Sequence, residues 1–507
     1  MNVLYDALMP ADRPSDRVCL IQPDGTTITY GEVHQWAGRF ASALVGLGVR
    51  PGDRVLVQVE KSPEALFLYL GCLRAGAVFL PLNTAYTLRE VAYFVSDAEP
   101  ALIVCRPGAE AGFAAEVPQG TRLVTLDGVS GSLPELAAGA DPDFADVACG
   151  PDDLAAILYT SGTTGRSKGA MLSHANLASN AEALISTWHY TSDDVLIHAL
   201  PIFHAHGLYV GTNVTLASGA SMHFLPKFDA GEVIARMPQA TVMMGVPTFY
   251  TRLLDHRPAL TRADVATMRV FISGSAPLLA ETHARFQDVT GHAIVERYGM
   301  TETSMNTSNP YEGDRVPGSV GMPLPGVSVR ITDLESGRPL PQGEVGMVEI
   351  KGPNVFSGYW RRPELSSTEF RPDGYFITGD IGQLDARGYV HILGRSKDIV
   401  ITGGYNVYPK EVEMEIDLID GVAESAIIGI PHPDFGEAVV AVIVPHNGCA
   451  PVESRVIETL RTRLAGYKLP KRVLIADALP RNVMGKVQKN LLRDTNRDLF
   501  ASVASDH

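Results

Sequence analysis

One stretch indicates both the fold and the chemistry of this chain: Tyr159-Thr160-Ser161-Gly162-Thr163-Thr164-Gly165-Arg166-Ser167-Lys168-Gly169. It follows the apolar run Leu154 to Leu158, which predicts a buried strand. Glycines let backbone amides approach an anion, hydroxyl groups donate to phosphate oxygens, and lysine supplies a point charge. The stretch therefore predicts a polyphosphate-binding loop. Its spacing differs from the G-x-x-x-x-G-K-[ST] pattern of a Walker A loop, which excludes an ATPase of that type.

The fold class predicted from the whole sequence is α/β with more than one domain. Short β-branched runs alternate with amphipathic stretches, which is typical of parallel sheets flanked by helices. Residues 315–393 change to short strands with frequent Gly and Pro, which predicts a small β-barrel or distorted antiparallel sheet. We expect a large N-terminal domain over residues 1–395 and a small mobile α+β domain over residues 396–507. The predicted strands include Arg54–Val59, Ala101–Cys105, Ala240–Gly245, Val270–Ser273 and Ala423–Ile430, and the predicted helices include Gly31–Leu47, Ser62–Arg74 and Pro409–Asp417.

Charge and cysteine content narrow the function classes. The formal net charge is −15 and the pI is about 5.4, which argues against nucleic acid or an anionic membrane as a partner. The five cysteines are scattered and contain no C-x-x-C pair, which favours reduced thiols over disulfides or a zinc site. The N-terminus lacks the pattern of a signal peptide, and no apolar run approaches the roughly 18 residues of a membrane span. We therefore expect a cytoplasmic protein.

Five further motifs occur with the 159–169 stretch. In chain order they are Tyr298-Gly299-Met300-Thr301-Glu302-Thr303, Thr378-Gly379-Asp380, Gly394-Arg395-Ser396-Lys397-Asp398, Gly403-Gly404-Tyr405-Asn406-Val407-Tyr408-Pro409 and Arg481-Asn482-Val483-Met484-Gly485-Lys486-Val487. The first of them follows Ala293–Glu296, which predicts a strand. Each alone is a weak indicator, since short motifs often arise by chance. In this order and at these separations, the set resembles the adenylate-forming ligases, a family of acyl-CoA synthetases, peptide-synthetase adenylation domains and luciferases. The resemblance extends from Tyr30 to Lys486.

This resemblance implies a two-step reaction and a role for each motif. A carboxylate and ATP give an acyl-adenylate and pyrophosphate, and the acyl group then passes to a thiol, here free coenzyme A because no carrier domain is fused. Lys486, Thr301, Glu302 and His204 are the implied catalytic residues, with Glu302 binding Mg²⁺, which neutralises phosphate charge. The implied nucleotide-binding set consists of Thr160, Ser161, Gly162, Thr163, Thr164, Gly165, Lys168, Ser275, Ala276, Pro277, Glu296, Arg297, Tyr298, Gly299, Thr301, Asp380, Arg395 and Lys486.

The family also uses two orientations of its small domain. The resemblance places the pivot at Lys397 and implies that the second orientation presents Gly403, Gly404 and Tyr405 to the pantetheine arm of CoA. Hinges need only a few positions that absorb backbone rotation. Lys486 is also a candidate for regulation by a lysine-acylating enzyme, because neutralising its charge would remove the group that gathers two anions.

The acyl substrate is indicated by a second group of residues. Pro201-Ile202-Phe203-His204-Ala205-His206-Gly207 and Gly245-Val246-Pro247-Thr248-Phe249-Tyr250-Thr251-Arg252, together with the residues around Met305, resemble the bacterial malonyl-CoA synthetases within the family. The implied substrate-contacting residues are His204, Arg252, Ser275 and Met305. An arginine can pair bidentately with the second carboxylate of malonate or methylmalonate, and we expect a buried Arg252 in that role.

Several alternatives remain open at this level. The chain could be a CoA ligase for another short or aromatic acid, although Arg252 argues against a monocarboxylate. It could be a stand-alone adenylation enzyme that loads a carrier protein. An oxidative luciferase would need a large apolar pocket, and a non-catalytic nucleotide-binding relative would need no adenylation lysine such as Lys486.

Overall fold

The computed structural model describes residues 1–117, 121–160, 167–256, 258–446, 451–482 and 485–500. By their contacts they form two compact units. The first comprises Met1–Val329 and Ile350–Phe376, and the second comprises Arg330–Glu349 and Ile377–His507. The units thus exchange segments along the chain, whereas the predicted boundary after residue 395 is a single cut. That boundary and the pivot at Lys397 stay predictions.

The first unit contains two sheets whose strands alternate with helices. Its strands are β1 (Val18–Ile21), β2 (Thr27–Thr29), β3 (Arg54–Gln58), β4 (Val78–Pro81), β5 (Leu102–Cys105), β6 (Arg122–Thr125), β7 (Leu154–Thr160), β8 (Lys168–Ser173), β9 (Val195–His198), β10 (Ser221–Phe224), β11 (Val242–Gly245), β12 (Val270–Ser273), β13 (Val295–Met300), β14 (Ser304–Ser308) and β15 (Met322–Pro323). Its helices are α1 (Val3–Leu8), α2 (Tyr30–Gly46), α3 (Pro63–Arg74), α4 (Leu88–Ala98), α5 (Glu110–Glu116), α6 (Ser132–Ala138), α7 (His174–Trp188), α8 (Asn213–Ser218), α9 (Ala230–Arg236), α10 (Pro247–Asp255), α11 (Ala280–Thr290) and α12 (Pro363–Glu369), with a π-helix at His206–Thr212 and a 3₁₀ turn at Met237–Gln239.

Both sheets are parallel in their interior. One has the order β6-β5-β3-β4-β7-β8, and only its edge strand β8 is antiparallel to its neighbour. The other has the order β15-β14-β13-β12-β11-β9-β10-β1-β2 and is parallel from β13 to β1. Fully buried strands such as β5, β11 and β12 have no exposed residue, because helices cover both faces of a parallel sheet. The predicted α/β class is confirmed.

Local sequence explains where the helices begin. Thr29 and Glu32 form a reciprocal capping box at α2, and Thr87 and Glu90 form another at α4. Such boxes satisfy two of the backbone N–H groups that a helix start leaves unpaired. One apolar core then packs Val233 of α9, Leu253 of α10 and Phe286 of α11 against the larger sheet.

The second unit is α+β. Its strands, wholly or mainly within the unit, are β16 (Ser328–Thr332), β17 (Gly346–Lys351), β18 (Phe376–Leu384), β19 (Val390–Arg395), β20 (Val400–Thr402), β21 (Tyr405–Val407), β22 (Val422–His432), β23 (Gly436–Pro445) and β24 (Arg472–Ile475). Its helices are α13 (Pro409–Ile416), α14 (Glu453–Arg461) and α15 (Lys489–Thr495), with 3₁₀ turns at Ser396–Asp398 and Gly466–Lys468. Strands β16 to β19 form a four-stranded sheet where a small β-barrel or distorted antiparallel sheet was predicted. The long antiparallel hairpin β22–β23 organises the other sheet, with one apolar cluster on each face.

Most predicted elements lie within two residues of the observed ones, but one prediction at the candidate site was wrong. The Tyr298 motif was expected to follow a strand ending at Glu296, whereas β13 continues to Met300. It does so because β14 returns antiparallel and pairs Tyr298 with Thr307 and Met300 with Ser304. Among the helices that the structure describes, none combines the length and apolar character needed to cross a membrane.

Candidate active site

The predicted phosphate loop lies at the turn of the β7–β8 hairpin. Thr160 ends β7, Lys168 begins β8, and the two residues pair across the ladder. Ser161, Gly162, Thr163, Thr164 and Gly165 lie outside the described residues. Their predicted contacts with phosphates therefore stay a prediction. Of this stretch, the structure describes the residues on either side, including Thr160 and Lys168.

Glu302 lies in a hydrogen-bonded chain that connects both ends of this loop. Its Oε1 accepts from Thr160 Oγ1 at 3.2 Å and from the Tyr359 hydroxyl at 3.1 Å. The same hydroxyl lies 2.8 Å from Glu369 Oε2, and Glu369 Oε1 accepts from Lys168 Nζ at 2.9 Å. Lys168 Nζ also lies 4.7 Å from the centroid of the Tyr359 ring. Two carboxylates, one ammonium and one phenol are thus coupled in a largely buried cluster.

Burial is the main cause of the electrostatics in this cluster. Glu302, Lys168 and Tyr359 are each less than a tenth exposed. Burial, reinforced by the neighbouring Glu302 and Glu369 carboxylates, raises the pKa of Tyr359 above its ordinary value, because ionising the phenol would add a third negative charge in a region of low dielectric. Lys168 was predicted to offer a mobile charge to phosphates. In the structure it is instead held by Glu369, and its role toward phosphate stays a proposal.

The residues present fit a magnesium ion. Glu302, Thr160 and Tyr359 offer only oxygen atoms, and Mg²⁺ is commonly held by one or two carboxylates together with substrate phosphates. Within the described ranges no group of three or more His, Cys, Asp or Glu residues could hold a metal by itself. A buried carboxylate beside Thr160, at one end of the predicted phosphate loop, fits a metal that would arrive with ATP.

A second cluster joins the start of the π-helix His206–Thr212, the turn after β12 and strand β13. His206 Nδ1 lies 3.2 Å from Ser275 Oγ, and the His206 backbone N–H approaches His204 Nδ1 at 3.4 Å. Ser275 has a φ of 71°. Residues other than glycine rarely adopt this backbone conformation, and it is found disproportionately at functional sites. Burial lowers the pKa of His204 to about 4, with the charge of Arg297 adding to the effect. Burial and the Arg297 charge lower the pKa of His206 as well, so both histidines are neutral at physiological pH.

Arg297 is the cation of this second cluster. Its side chain is 4% exposed, and its Nε and Nη2 atoms donate to no atom of the residues that the structure describes. Burial lowers the pKa of Arg297 to about 9, which still leaves it charged at pH 7. The guanidinium passes beneath Gly274, where a Cβ atom would lie 2.4 Å from Cζ. Glycine at position 274 is therefore what makes room for the charge.

The other predicted substrate residues are placed differently. Met305 is buried, and a Cβ atom added at Gly299 would lie only 2.5 Å from its Cε atom. Arg252 lies on α10 as expected, but its side chain is exposed rather than buried, because the apolar face of that helix is formed by Tyr250, Leu253 and Leu254. Arg252 as a carboxylate clamp stays a prediction.

The remaining nucleotide-binding predictions within the first unit lie close together in the chain. Ala276 and Pro277 follow Ser275 in the turn after β12, and Glu296 and Tyr298 lie on β13. Glu296 is buried and accepts from the backbone N–H of Gly318 at 3.2 Å. Thr301, half-buried, begins the turn between β13 and β14.

In the second unit, Asp380 and Arg395 face each other across the β18–β19 ladder. Arg395 Nε lies 2.8 Å from Asp380 Oδ1, and Arg395 Nη1 donates to the Thr378 carbonyl at 3.1 Å. The Lys486 side chain as a whole is exposed, yet desolvation of its ammonium and the nearby Arg395 charge lower its pKa, while Asp380 opposes the shift. Three of the predicted site residues thus interact within this unit.

The 403–405 loop is also described in this unit. Gly403 and Gly404 have φ values of 56° and 82° and form the tight turn between β20 and β21. The exposed Tyr405 ring stacks on Tyr467, with 4.7 Å between centroids. Lys397 is exposed within the 3₁₀ turn Ser396–Asp398.

Sequence reasoning missed the role of two residues and underused a third. Tyr359 and Glu369 were not singled out, although an aromatic residue directly after Gly358 was visible in the sequence. Arg297 was assigned only to the nucleotide. A charged residue directly after a buried strand run, as in Ala293-Ile294-Val295-Glu296-Arg297, is the pattern that could have drawn attention to it.

Family models and known proteins match nearly the whole length of the chain. The model of the AMP-binding enzyme family matches residues 9–360, and that of the AMP-binding enzyme C-terminal domain matches residues 411–486. The chain is 37% identical to a feruloyl-CoA synthase from an Amycolatopsis species (95% of this chain, 96% of that protein). It is 34% identical to a malonate–CoA ligase from Arabidopsis thaliana (97% and 88%). Among solved structures, ATP-bound MatB from Rhodopseudomonas palustris is 58% identical, with a TM-score of 0.96 over 98% of this chain and 99% of that one.

Proposed function

The chain belongs to the AMP-binding enzyme family, and from that premise we propose that it joins malonate, and also methylmalonate, to coenzyme A through an acyl-adenylate. As a member of this family, it is an adenylate-forming CoA ligase that uses ATP and CoA. The relatives differ in their acids, feruloyl in one name and malonate in another. The acid must therefore be argued from this chain's own residues.

The observation that carries the proposal is the buried Arg297. A guanidinium with two unsatisfied donor atoms inside a protein is costly, and such groups are normally paired. His204, His206 and Ser275 surround the same region and are neutral, so none of them balances the charge. A second carboxylate on the acyl substrate would do so, with the planar fork geometry that arginine prefers.

Energetics favour a dicarboxylate over acetate or a fatty acid. Leaving one partner of a buried ion pair without the other costs about 3–5 kcal/mol. A monocarboxylate would use its single carboxylate for adenylation and leave Arg297 unpaired. The buried Met305 beside Gly299 and the small Ala205 beside His204 would then set how large a substituent on the malonate carbon fits.

The remaining roles follow the chemistry of each residue. We propose that Thr160 and the 161–165 loop bind the β- and γ-phosphates, that Thr301 donates to the α-phosphate, and that Tyr298 stacks on adenine beside Ala276 and Pro277. Asp380 accepts from both ribose hydroxyls, since one carboxylate can satisfy two donors. Lys486 holds the substrate carboxylate and the α-phosphate together against their mutual repulsion.

Magnesium, bound with ATP at Glu302, would neutralise charge on the departing pyrophosphate. For the second step we propose that the pantetheine arm passes Gly403 and Gly404 and that the nucleotide of CoA meets the exposed Tyr405–Tyr467 stack. Aromatic faces accept a purine ring without regard to its hydrogen-bonding edge. Acylation of Lys486 as a regulatory step belongs to the same proposal.

The test measures thioester formation that depends on ATP, Mg²⁺ and CoA. Malonate, methylmalonate, succinate, acetate and a medium-chain fatty acid are compared for the wild type, Arg297→Met and Arg252→Met. The two variants make the same substitution at a buried and an exposed arginine. We expect Arg297→Met to lower kcat/KM for malonate roughly 150-fold or more, from a loss of at least about 3 kcal/mol, and to spare acetate. We expect little change in Arg252→Met.

Each other outcome has a distinct meaning. A collapse in Arg252→Met alone would restore the clamp predicted from sequence and refute the argument from Arg297. Malonate activity that responds to neither arginine would keep the malonate assignment but refute the argument from Arg297. Activity confined to acetate or the fatty acid would refute the malonate assignment but keep the ligase. Silence with all five acids would favour the loading of a carrier protein.

A further inference from the structure

Lys61 is a buried cation that the proposed reaction does not use. It lies between β3 and α3, directly before Ser62, which caps α3. Its Nζ donates to three acceptors on a distant segment: His198 Nδ1 at 2.8 Å, the His198 carbonyl at 2.7 Å and the Leu200 carbonyl at 3.0 Å. It also lies 4.3 Å from the centroid of the Phe224 ring. Three donors and three acceptors satisfy an ammonium completely.

The contacts with Gly207 and Lys61 together fix the protonation of His198. Burial lowers the pKa of Lys61, but the Gly207 carbonyl beside Nε2 can only accept a hydrogen bond, so Nε2 carries the proton of the neutral ring and Nδ1 accepts from Lys61. Nε2 then donates to the Gly207 carbonyl at 2.8 Å, with Thr212 Oγ1 also within reach at 3.1 Å. Burial and the Lys61 charge both lower the pKa of His198, which agrees with a neutral ring of one defined tautomer.

Gly207 lies in the π-helix His206–Thr212, and this explains why the His198 bond matters. A π-helix replaces the i→i+4 backbone bonds with i→i+5 bonds, and each carbonyl oxygen has two lone pairs, so side chains can bond to it as well. Gly207 O accepts from His198 and from Thr212 Oγ1 at 3.0 Å. The His198 ring also lies close to Gly211, where a Cβ would be 3.0 Å from Nε2. A side chain at position 211 would therefore crowd the ring.

Together these contacts hold both ends of the segment that carries the acyl-pocket histidines. Lys61 holds its beginning at the carbonyls of His198 and Leu200, and His198 holds its end at Gly207. His204 and His206 lie between the two anchors. Among the described residues no carboxylate pairs with Lys61, and burial lowers its pKa. Three hydrogen bonds, rather than an ion pair, therefore hold the segment.

We propose that Lys61 is a positioning residue for the acyl substrate, acting through His198 and the π-helix on His204 and His206. The proposal rests on the proposed function only in placing the acyl pocket at these histidines. It predicts that the loss of Lys61 impairs use of the carboxylic acid far more than use of ATP. The identity of the acid does not enter this prediction.

The test compares Lys61→Met with Lys227→Met, which makes the same substitution at an exposed lysine three residues after Phe224. Adenylation is followed by pyrophosphate exchange with whichever acid the wild type uses best. We expect Lys61→Met to lower kcat/KM for the acid about 10- to 100-fold, with KM for ATP within about twofold of wild type. Lys227→Met should match the wild type in both.

Two further measurements separate positioning from a general loss of structure. Spectra of the protein labelled with ¹⁵N-histidine should show the Nε2–H tautomer of His198 with a hydrogen-bonded Nδ1 in the wild type, and a shifted Nδ1 resonance, from loss of that hydrogen bond, in Lys61→Met. Lys61→Arg keeps the charge but presents a planar fork instead of three divergent donors, so it should give an intermediate loss. It also serves as the test if Lys61→Met does not fold.

The inference is overturned if Lys61→Met retains full kcat/KM for the acid, or if KM for ATP and for the acid rise equally. An unchanged Nδ1 resonance of His198 in the variant would overturn it as well. Failure of the malonate assignment is seen separately, in the acid that the wild type prefers, and leaves this comparison intact.

Discussion

Removing the Tyr359 hydroxyl should weaken both the first unit and the proposed metal ligand. The hydroxyl lies 3.1 Å from Glu302 Oε1 and 2.8 Å from Glu369 Oε2. It carries one proton for two carboxylates, so Tyr359→Phe removes a hydrogen bond to a charged acceptor and leaves both acids facing a phenyl ring. Such bonds contribute about 1.5–3 kcal/mol.

We therefore expect Tyr359→Phe to lower the free energy of unfolding of the first unit by about 1.5–3 kcal/mol. All three tryptophans, Trp36, Trp188 and Trp360, belong to this unit, so urea unfolding followed by tryptophan fluorescence reports on it. Tyr209→Phe is the matched control, because that tyrosine is equally buried and its hydroxyl has no hydrogen-bond partner in the described part of the chain. Its removal should cost little or nothing.

The same variant should weaken binding of Mg-ATP, because Glu302 loses a group that holds its carboxylate in place. Calorimetry at several Mg²⁺ concentrations measures this independently of turnover. A Tyr359→Phe protein as stable as the Tyr209→Phe protein, with unchanged affinity for Mg-ATP, would refute the view that the phenol positions Glu302. A double-mutant cycle with Glu369→Gln tests whether the two carboxylates share the one proton.

Two other predictions concern the second unit. Burial raises the pKa of Asp417 to about 6. The contribution of the protonated side chain to stability is therefore fully present below about pH 4 and is lost as the pH rises through 6. Asp417→Asn, which can still accept from Ser425 Oγ, should stabilise this unit by about 1–2 kcal/mol at pH 7 and by almost nothing at pH 4; urea unfolding followed by circular dichroism checks this, and an equal effect at both pH values contradicts it. Lys486→Gln, a mimic of acylation, should abolish pyrophosphate exchange while leaving thioester formation from a supplied acyl-adenylate largely intact; full exchange rates would exclude Lys486 as the adenylation lysine.

Much of the fold follows from local patterns. The capping boxes Thr29–Glu32 and Thr87–Glu90 and the β-branched runs specify helices and strands within a few residues of where they lie. The continuation of β13 to Met300 could not be foreseen, since it depends on pairing with β14, which is a long-range choice of register.

The sequence by itself determined the family, because six ordered motifs each lie within a short segment and their chemistry is local. Only the tertiary structure decided which side chains meet. Tyr359 joins Glu302 from 57 positions away, Glu369 joins Lys168 across 201, and Lys61 joins His198 across 137. It also decided which arginine is buried: Arg297 lies beneath Gly274, while Arg252 is exposed. A sequence shows which residues are charged but not how deeply each is buried, and the energy of an ion depends on how far the fold removes it from water.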